Sequence, residues 1–442
     1  MPDGWCWEKL KNIVIKEIKR GKAPVYTTKS SVLVFAQKCN LKQGGINIGL
    51  AQYLDESILK KYPNEEFLLP SDIIINSTGT GTLGRIGILP ANCFTPIDRI
   101  VPDTHITVIR TCEDMVAQYV FSILKQKQPI IETNGEGSTN QKELRPDYIK
   151  NIFIPIPPYK EQQKIVSLIE HTYHITTTIN TVKEELYSII NLLKSKILEL
   201  AIQGKLVEQD ENDEPASVLL ERIRAEKKAQ LGKKYVESYI YKGDDNCYYE
   251  KIGSVIKNIT EFIPFEIPAS WRFIRLKELI KLISGVSYDK CDICADGIRI
   301  LRGGNIGNLT IQIQQDDVFL PAKYFDEEKQ VRIGDVIIVA STGSKVAIGR
   351  AGFIEKEYLG TQIGAFLRIV RPIDIAFANY IKCIFSTDYY REHIRDMVHG
   401  NTINNIKLDY IEDFIVPLPP IKEQKRICLQ VENVMSILKD ED

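Results

Sequence analysis

The sequence has no apolar run long enough to cross a bilayer: stretches such as SVLVFA at 31–36 stop far short of the ~20 residues a spanning helix needs. Its opening, MPDGWCWEKLKNI, lacks the basic start, apolar stretch and small-residue cleavage site of a secretory signal, so a cytoplasmic location is expected. Charge of one sign is missing too. Lys and Arg number 57 against 58 Asp and Glu, a formal net charge of −1. By segment the balance is +3 over 1–158, −3 over 159–250, 0 over 251–420 and −1 over 421–442. Binding of a polyanion would therefore rest on local placement of cations. The nine cysteines form no framework, and an odd count without an export signal favours reduced thiols. Cys291 and Cys294 make the one C-x-x-C, but no second ligand pair sits at matching spacing, so no metal site is expected. His171 and His174 lie in a helical heptad pattern, which favours a solvent or packing role.

Catalytic signatures are absent as well. The chain has no N-P-P-Y or D-P-P-Y, no G-x-x-x-x-G-K and no G-x-S-x-G. In PDTHITVIR, Asp103 stands without the lysine and second carboxylate of a nuclease site. These gaps describe a binding protein with no active site of its own.

One stretch looks like an exception. In STGTGTLGRIG at 77–87, Gly79, Gly81 and Gly84 fall on G-x-G-x-x-G. A dinucleotide fingerprint needs a helix after the glycines, whereas here RIGILP follows, a short β-branched run ending in Pro90. A tight turn between two strands is the expected structure.

The chain is written twice. DYIKNIFIPIPPYKEQQKI at 147–165 recurs as DYIEDFIVPLPPIKEQKRI at 409–427, with ten identities in nineteen positions. DIIINSTGTGTLGRIG at 72–87 pairs with DVIIVASTGSKVAIGRAG at 335–352, and GWCWEKL at 4–10 pairs more loosely with SWRFIRL at 270–276. GSTNQKELR from Gly137 answers GNTINNIKL from Gly400. The second copy breaks the G-x-G-x-x-G spacing but keeps Ser-Thr-Gly and Gly-Arg, so those residues carry the signal. The repeat sets the plan: a domain over 1–158, helices and a linker over 159–250, a second domain over 251–420 and a short helix over 421–442. Short β-branched runs bounded by Gly, Asn and Pro, with one late helical stretch in each copy, give an α+β class with mostly β cores.

After each Pro-Pro the apolar period becomes helical. From Ile165 it runs through Leu168, Thr172, Ile175, Ile179, Val182, Leu186, Ile189, Leu193 and Ile197, the seam of a coiled coil. A helix to Gln203 would be about 65 Å long at a rise of ~1.5 Å per residue. The second helix, with Ile427, Val431, Val434 and Leu438, is the expected partner but only half as long. Ile179, Val182, Leu186, Ile189, Leu193 and Ile197 are therefore the expected docking face for another protein. Gly204, the acidic turn EQDENDEPAS and an amphipathic helix over 217–231 come next, then a polar linker over 232–246.

Two similar domains held apart by helices suit a ligand with two sites at fixed separation, DNA above all, although architecture alone also permits a non-enzymatic protein-binding scaffold. GWCWEKL, STGTGTLGRIG, IPIPPYKEQQKI and above all AIQGKLVEQDENDEPASVLLERIRAEK resemble the specificity subunit of type I restriction-modification enzymes, over essentially the whole chain. The resemblance implies two target recognition domains, each reading one half of a split, asymmetric double-stranded DNA site. It implies long antiparallel coiled-coil helices between them, with a pseudo-twofold relation, that set the gap and dock methyltransferase subunits. S-adenosylmethionine would sit on those partners, and ATP and Mg on restriction subunits, with no cofactor in this chain. By side-chain chemistry, the expected DNA contacts are Ser77, Thr78, Thr80 and Arg85 with Asn140, Gln141 and Lys142. In the second copy they are Ser341, Thr342, Ser344, Lys345 and Arg350 with Asn404, Asn405 and Lys407.

Overall fold

The computed structural model describes residues 2–79, 81–90, 99–137, 142–232, 235–398 and 404–439. The chain divides into two compact units, 1–182 and 183–442.

The first unit runs β1 (Cys6–Lys9), β2 (Tyr26–Thr27), β3 (Val32–Phe35), β4 (Gln52–Leu54), β5 (Ile73–Asn76), β6 (Ile86–Ile88), β7 (Arg99–Pro102) and β8 (Ile106–Ile109). Helices α1 (Ala117–Thr133) and α2 (Pro146–Lys150), strand β9 (Phe153–Ile156) and the start of α3 (Tyr159–Ile202) follow. All four residues of β5, IIIN, are buried, three isoleucines and the hydrogen-bonded Asn76, because the strand lies between β6 and β8 in the order β6-β5-β8. A second sheet, ordered β2-β4-β3-β7, contains one parallel pair, β3 with β7. Strand β1 pairs with β9, which ties the opening of the unit to its exit.

The second unit takes the end of α3, then α4 (Ala216–Leu231), β10 (Ser238–Lys242), β11 (Tyr248–Ile252) and β12 (Val255–Asn258). Next come β13 (Arg272–Arg275), β14 (Ile280–Ser284), β15 (Ile298–Leu301), β16 (Val318–Leu320), β17 (Val336–Val339), β18 (Ser341–Thr342), β19 (Ala351–Phe353), β20 (Thr361–Ile363) and β21 (Leu367–Pro372). Helices α5 (Ala378–Ser386) and α6 (Asp388–Met397), strand β22 (Asn404–Asn405), α7 (Leu408–Glu412), β23 (Ile415–Leu418) and α8 (Ile421–Ile437) complete it.

The topology repeats the sequence. Strand β13 pairs with β23 as β1 does with β9, and β15 runs parallel to β20 as β3 does to β7. Strand β17 lies between β19 and β21 as β5 lies between β6 and β8. Two buried forks repeat as well. Arg110 donates through Nε and Nη2 to Asp72 (2.7 Å each), and Arg371 donates in the same way to Asp335 (2.9 and 2.8 Å). Both carboxylates also accept a backbone N–H from three residues upstream, Leu69 and Arg332.

Three features differ from the sequence reading. The unit boundary falls inside α3, because the first turns of that helix, through Ile165 and Val166, pack on the first core. The expected linker carries a strand instead: β10 pairs with β11, which crosses the expected boundary at 250, and β11 pairs with β12. Glu250 on β11 is buried and bound by the Arg275 fork (2.8 and 2.6 Å), fastening this sheet to β13. Finally, α8 packs chiefly on α5, and it meets only the end of α3, where Ile427 is buried with Leu198 and Ala201. Ile179, Val182, Leu186, Ile189 and Leu193 remain exposed, by 43 to 61%. Ile197 is buried, next to Leu198, so it leaves the exposed stripe.

Candidate nucleic-acid interface

In each unit, the turn after the central strand meets the segment that precedes the exit, so two candidate groups far apart in sequence become neighbours. In the first, Thr78 bridges Glu143 in antiparallel register, placing the turn beside Lys142. In the second, β18 pairs with β22, Ser341 opposite Asn405 and Thr342 opposite Asn404.

The first turn is built from within. Ser77 is fully buried; its Oγ lies 2.6 Å from Thr107 Oγ1 and its carbonyl accepts the Leu144 N–H at 2.8 Å. Ser77 is therefore a fastening between the turn, β8 and the 142–145 segment, and its hydroxyl has no outward face. Thr78 Oγ1 accepts from Gln37 Nε2 (2.8 Å) and lies 2.6 Å from His105 Nδ1. Gly84 adopts φ +75°, and a Cβ there would stand 2.9 Å from the Glu132 backbone, so close packing on α1 demands glycine. The G-x-G-x-x-G spacing thus reflects turn geometry.

Arg85 donates through Nη1 to the Asn40 carbonyl (2.7 Å) and through Nη2 to the Gly81 carbonyl (3.1 Å). Arg350 donates through Nη2 to the Gly303 carbonyl (2.9 Å). Both arginines of the repeated Gly-Arg hold the loop that follows the parallel strand, β3 or β15. Their first role is positional: each joins the turn to that loop. Around Arg85, a hollow of about 540 Å³ is lined by Lys42, Thr82, Gln128 and Lys142 among others. Among the described residues that line it, the cations Lys42, Arg85 and Lys142 outnumber the single carboxylate, Glu132, which accepts from Gln128 Nε2 (2.6 Å).

In the second turn, Ser344 Oγ accepts the Ala347 N–H (3.3 Å) and the Thr342 hydroxyl accepts the Ser344 N–H (3.2 Å), as capping hydroxyls do. Lys345 and Asn405 are exposed, and Asn404 is buried. Lys407 is exposed, with Nζ 5.7 Å from the Tyr410 ring centroid. Thr80, Asn140 and Gln141 lie outside the described residues.

Sequence reasoning missed Gln37, Lys42 and His105. Their signal was faint: aligning CNLKQGGI with GNIGNLTI places Asn40 on Asn305, and both are buried amides that brace this loop. Asn40 Nδ2 donates to Asn76 Oδ1 (3.1 Å), and Asn305 Nδ2 to Asp317 Oδ1 (2.5 Å). Among the described residues no cluster of His, Cys, Asp or Glu could hold a metal ion, and no helix is long and apolar enough to cross a membrane.

A family model described as the type I restriction modification DNA specificity domain matches residues 9–187 and 268–439. The specificity subunit of the type I restriction enzyme EcoAI from Escherichia coli is 27% identical over 387 residues, covering 76% of this chain and 62% of that subunit. The MjaVIII specificity subunit of Methanocaldococcus jannaschii is 21% identical over 402 residues, covering 88% and 79%. The HsdS subunit from Thermoanaerobacter tengcongensis shares the fold, with a TM-score of 0.53 at 17% identity over 99% of this chain and 90% of that one. A chain from a type I R-M system, solved to explain complex assembly and conformational transition, gives 0.57 at 17% identity, covering 99% and 92%. This chain thus spans 62% of the length of the EcoAI subunit, with both matched regions falling on the two repeats. The chain belongs to the type I restriction-modification DNA specificity family.

Proposed function

We propose that this chain is the non-catalytic address reader of a type I restriction-modification complex. Each repeat reads one half of a split, asymmetric duplex site, and α3 sets the gap and docks methyltransferase subunits along its exposed stripe. Methylation with S-adenosylmethionine, and ATP-driven cleavage by restriction subunits, belong to the partners. The observation that carries this reading is the doubled pairing: in both units a Ser-Thr-Gly turn lies against the polar segment before the exit, edged by exposed cations. Two equivalent ridges on one chain suit two half-sites.

The test is to co-express the chain with its methyltransferase partner and map methylated adenines genome-wide. A bipartite motif is expected, and exchanging residues 1–158 for those of another specificity chain should alter one half only. A contiguous motif, or a change in both halves, would sink the reading.

Lys142 and Lys345 are exposed, so they are assigned to phosphate contacts. Lys142→Ala and Lys345→Ala should each reduce the slope of log affinity against log salt by about one, without moving the melting temperature. Arg85→Ala should behave differently, lowering both stability and sequence selectivity, because it releases the Asn40 loop. Binding across a salt series and thermal melts of the same three variants separate these outcomes.

A further inference from the structure

One backbone position is held against the Ser-Thr-Gly turn in both units, and it carries a different side chain in each. In the first unit Phe35 of β3 lies opposite Pro102 of β7, and Asn76 of β5 lies opposite Ile106 of β8. In the second, Leu301 of β15 lies opposite Ile363 of β20, and Val339 of β17 lies opposite Leu367 of β21. Both registers set PDTH at 102–105 on IGAF at 363–366, and so His105 on Phe366. Each is fastened by its backbone. The His105 carbonyl accepts the Ser77 N–H (2.8 Å), and the Phe366 carbonyl accepts those of Ala340 (2.9 Å) and Ser341 (3.1 Å).

Phe366 is 68% exposed although Ile363 and Leu367, on either side of it, are fully buried. A single exposed ring is ordinary; this one is set apart by its place beside the turn. His105 is exposed too, and its imidazole is oriented by a relay. The Thr78 carbonyl only accepts, so the Gln37 amide turns Nε2 toward it (2.5 Å), and the same Nε2 donates to Thr78 Oγ1 (2.8 Å). The Thr78 hydroxyl hydrogen is thereby left for His105 Nδ1, 2.6 Å away. Because Nδ1 accepts, Nε2 carries the hydrogen, a fixed donor on an exposed ring.

From this contrast we infer that His105 and Phe366 set base specificity, one in each half-site. His105 Nε2–H donates to the major-groove edge of guanine, which carries two acceptors, N7 and O6, and no donor. Phe366 packs on the 5-methyl group of thymine, the apolar feature of that groove. Thr78 is a positioning residue that holds the His105 tautomer through its hydroxyl. The assignment rests on the reading that each repeat takes one half-site, and it adds which side chain differs between them. The turn supplies the same frame twice, and the exchange of a donor for a phenyl ring makes the two halves unlike, as an asymmetric site requires.

The test maps adenine methylation genome-wide for the full chain co-expressed with its methyltransferase partner, as wild type and as His105→Ala, Thr78→Val and Phe366→Ala. His105→Ala should relax one G·C position in one half, losing about tenfold in discrimination there, and Phe366→Ala one T·A position in the other. Thr78→Val should relax the same position as His105→Ala, and the double variant should go no further. Duplexes of the mapped site then probe the atoms. Uracil for the thymine should weaken the wild-type complex about fourfold, the worth of one buried methyl group, and leave the Phe366→Ala complex indifferent. 7-Deazaguanine should likewise weaken wild type and not His105→Ala. A wild-type map without two separate halves would end the half-site reading and this assignment together. Two intact halves that the variants leave unchanged, or relax at other base pairs, would end the assignment alone. So would relaxation throughout a half with a lowered melting temperature, which would make the residue structural.

Discussion

Asp72→Ala is expected to destabilise the first unit by about 3–5 kcal/mol, the range for removing one partner of a buried ion pair. The Asp72 side chain is 1% exposed and receives two guanidinium bonds and the Leu69 N–H, so its loss leaves the Arg110 charge buried beside an unpaired amide. Arg110 also donates to the Phe67 carbonyl, which one contact cannot hold in place of three. Asp335→Ala should do the same to the second unit through Arg371. Each unit has its own core, so the effects should stay local. Hydrogen exchange in urea reads them separately: Asp72→Ala should speed exchange in β5 and leave β17 unchanged, and Asp335→Ala the reverse. Replacing both partners by apolar residues, Asp72→Leu with Arg110→Met, should recover much of the loss, because no bare charge remains. A penalty below about 1 kcal/mol for Asp72→Ala would mean that the fork is a surface pair in effect.

These forks were not legible in the sequence, and the reason is physical. Asp72 and Arg110 sit just beyond the ends of the paired strands β5 and β8, 38 residues apart, and no local period links them. What a local pattern can carry was legible. The 3.6-residue stripe after Pro158 gave a helix ending within a residue of the observed Ile202, and IIIN followed by Ser-Thr-Gly gave a strand and a turn. The repeat added what no single copy could, namely which strands correspond and that the glycine spacing was incidental. Ser77 is buried and fastens the turn from within, and in the second unit the carbonyl that accepts from the exit segment is that of Ala340, so this hydroxyl is a feature of the first copy alone. Arg85 and Arg350 each hold a neighbouring loop, so their recurrence reflects construction as much as recognition. The β10–β12 sheet was lost for the opposite reason. Its GDDN turn and charged flanks read as linker, while the alternation in SYIYK, with Ile240 inward, was the strand signal.

Trp271→Ala is expected to cost the second unit about 3–5 kcal/mol, since it empties the largest fully buried side chain from the cluster that joins the end of α3 to α8. Trp271→Phe should cost about 1–3 kcal/mol: much of the packing survives, but Glu423 keeps only its Gln209 bond and stays buried. The two variants should also differ in pH response. Burial pushes the Glu423 carboxyl above the usual range, and the Trp271 and Gln209 donors, which favour the charged form, offset only part of that. A carboxyl raised in the folded state gives stability that is full below its unfolded value and is lost as pH rises through the folded one. The second unit should therefore weaken from the ordinary glutamate range upward until Glu423 is ionised, and Glu423→Gln should flatten that slope. Trp271→Phe removes a donor to the carboxylate, so its folded value rises further and the loss should extend to higher pH. Urea midpoints of the second unit across a pH series decide the matter. A slope unchanged by Glu423→Gln would place the titration on another group, and the tryptophan would then act through packing alone.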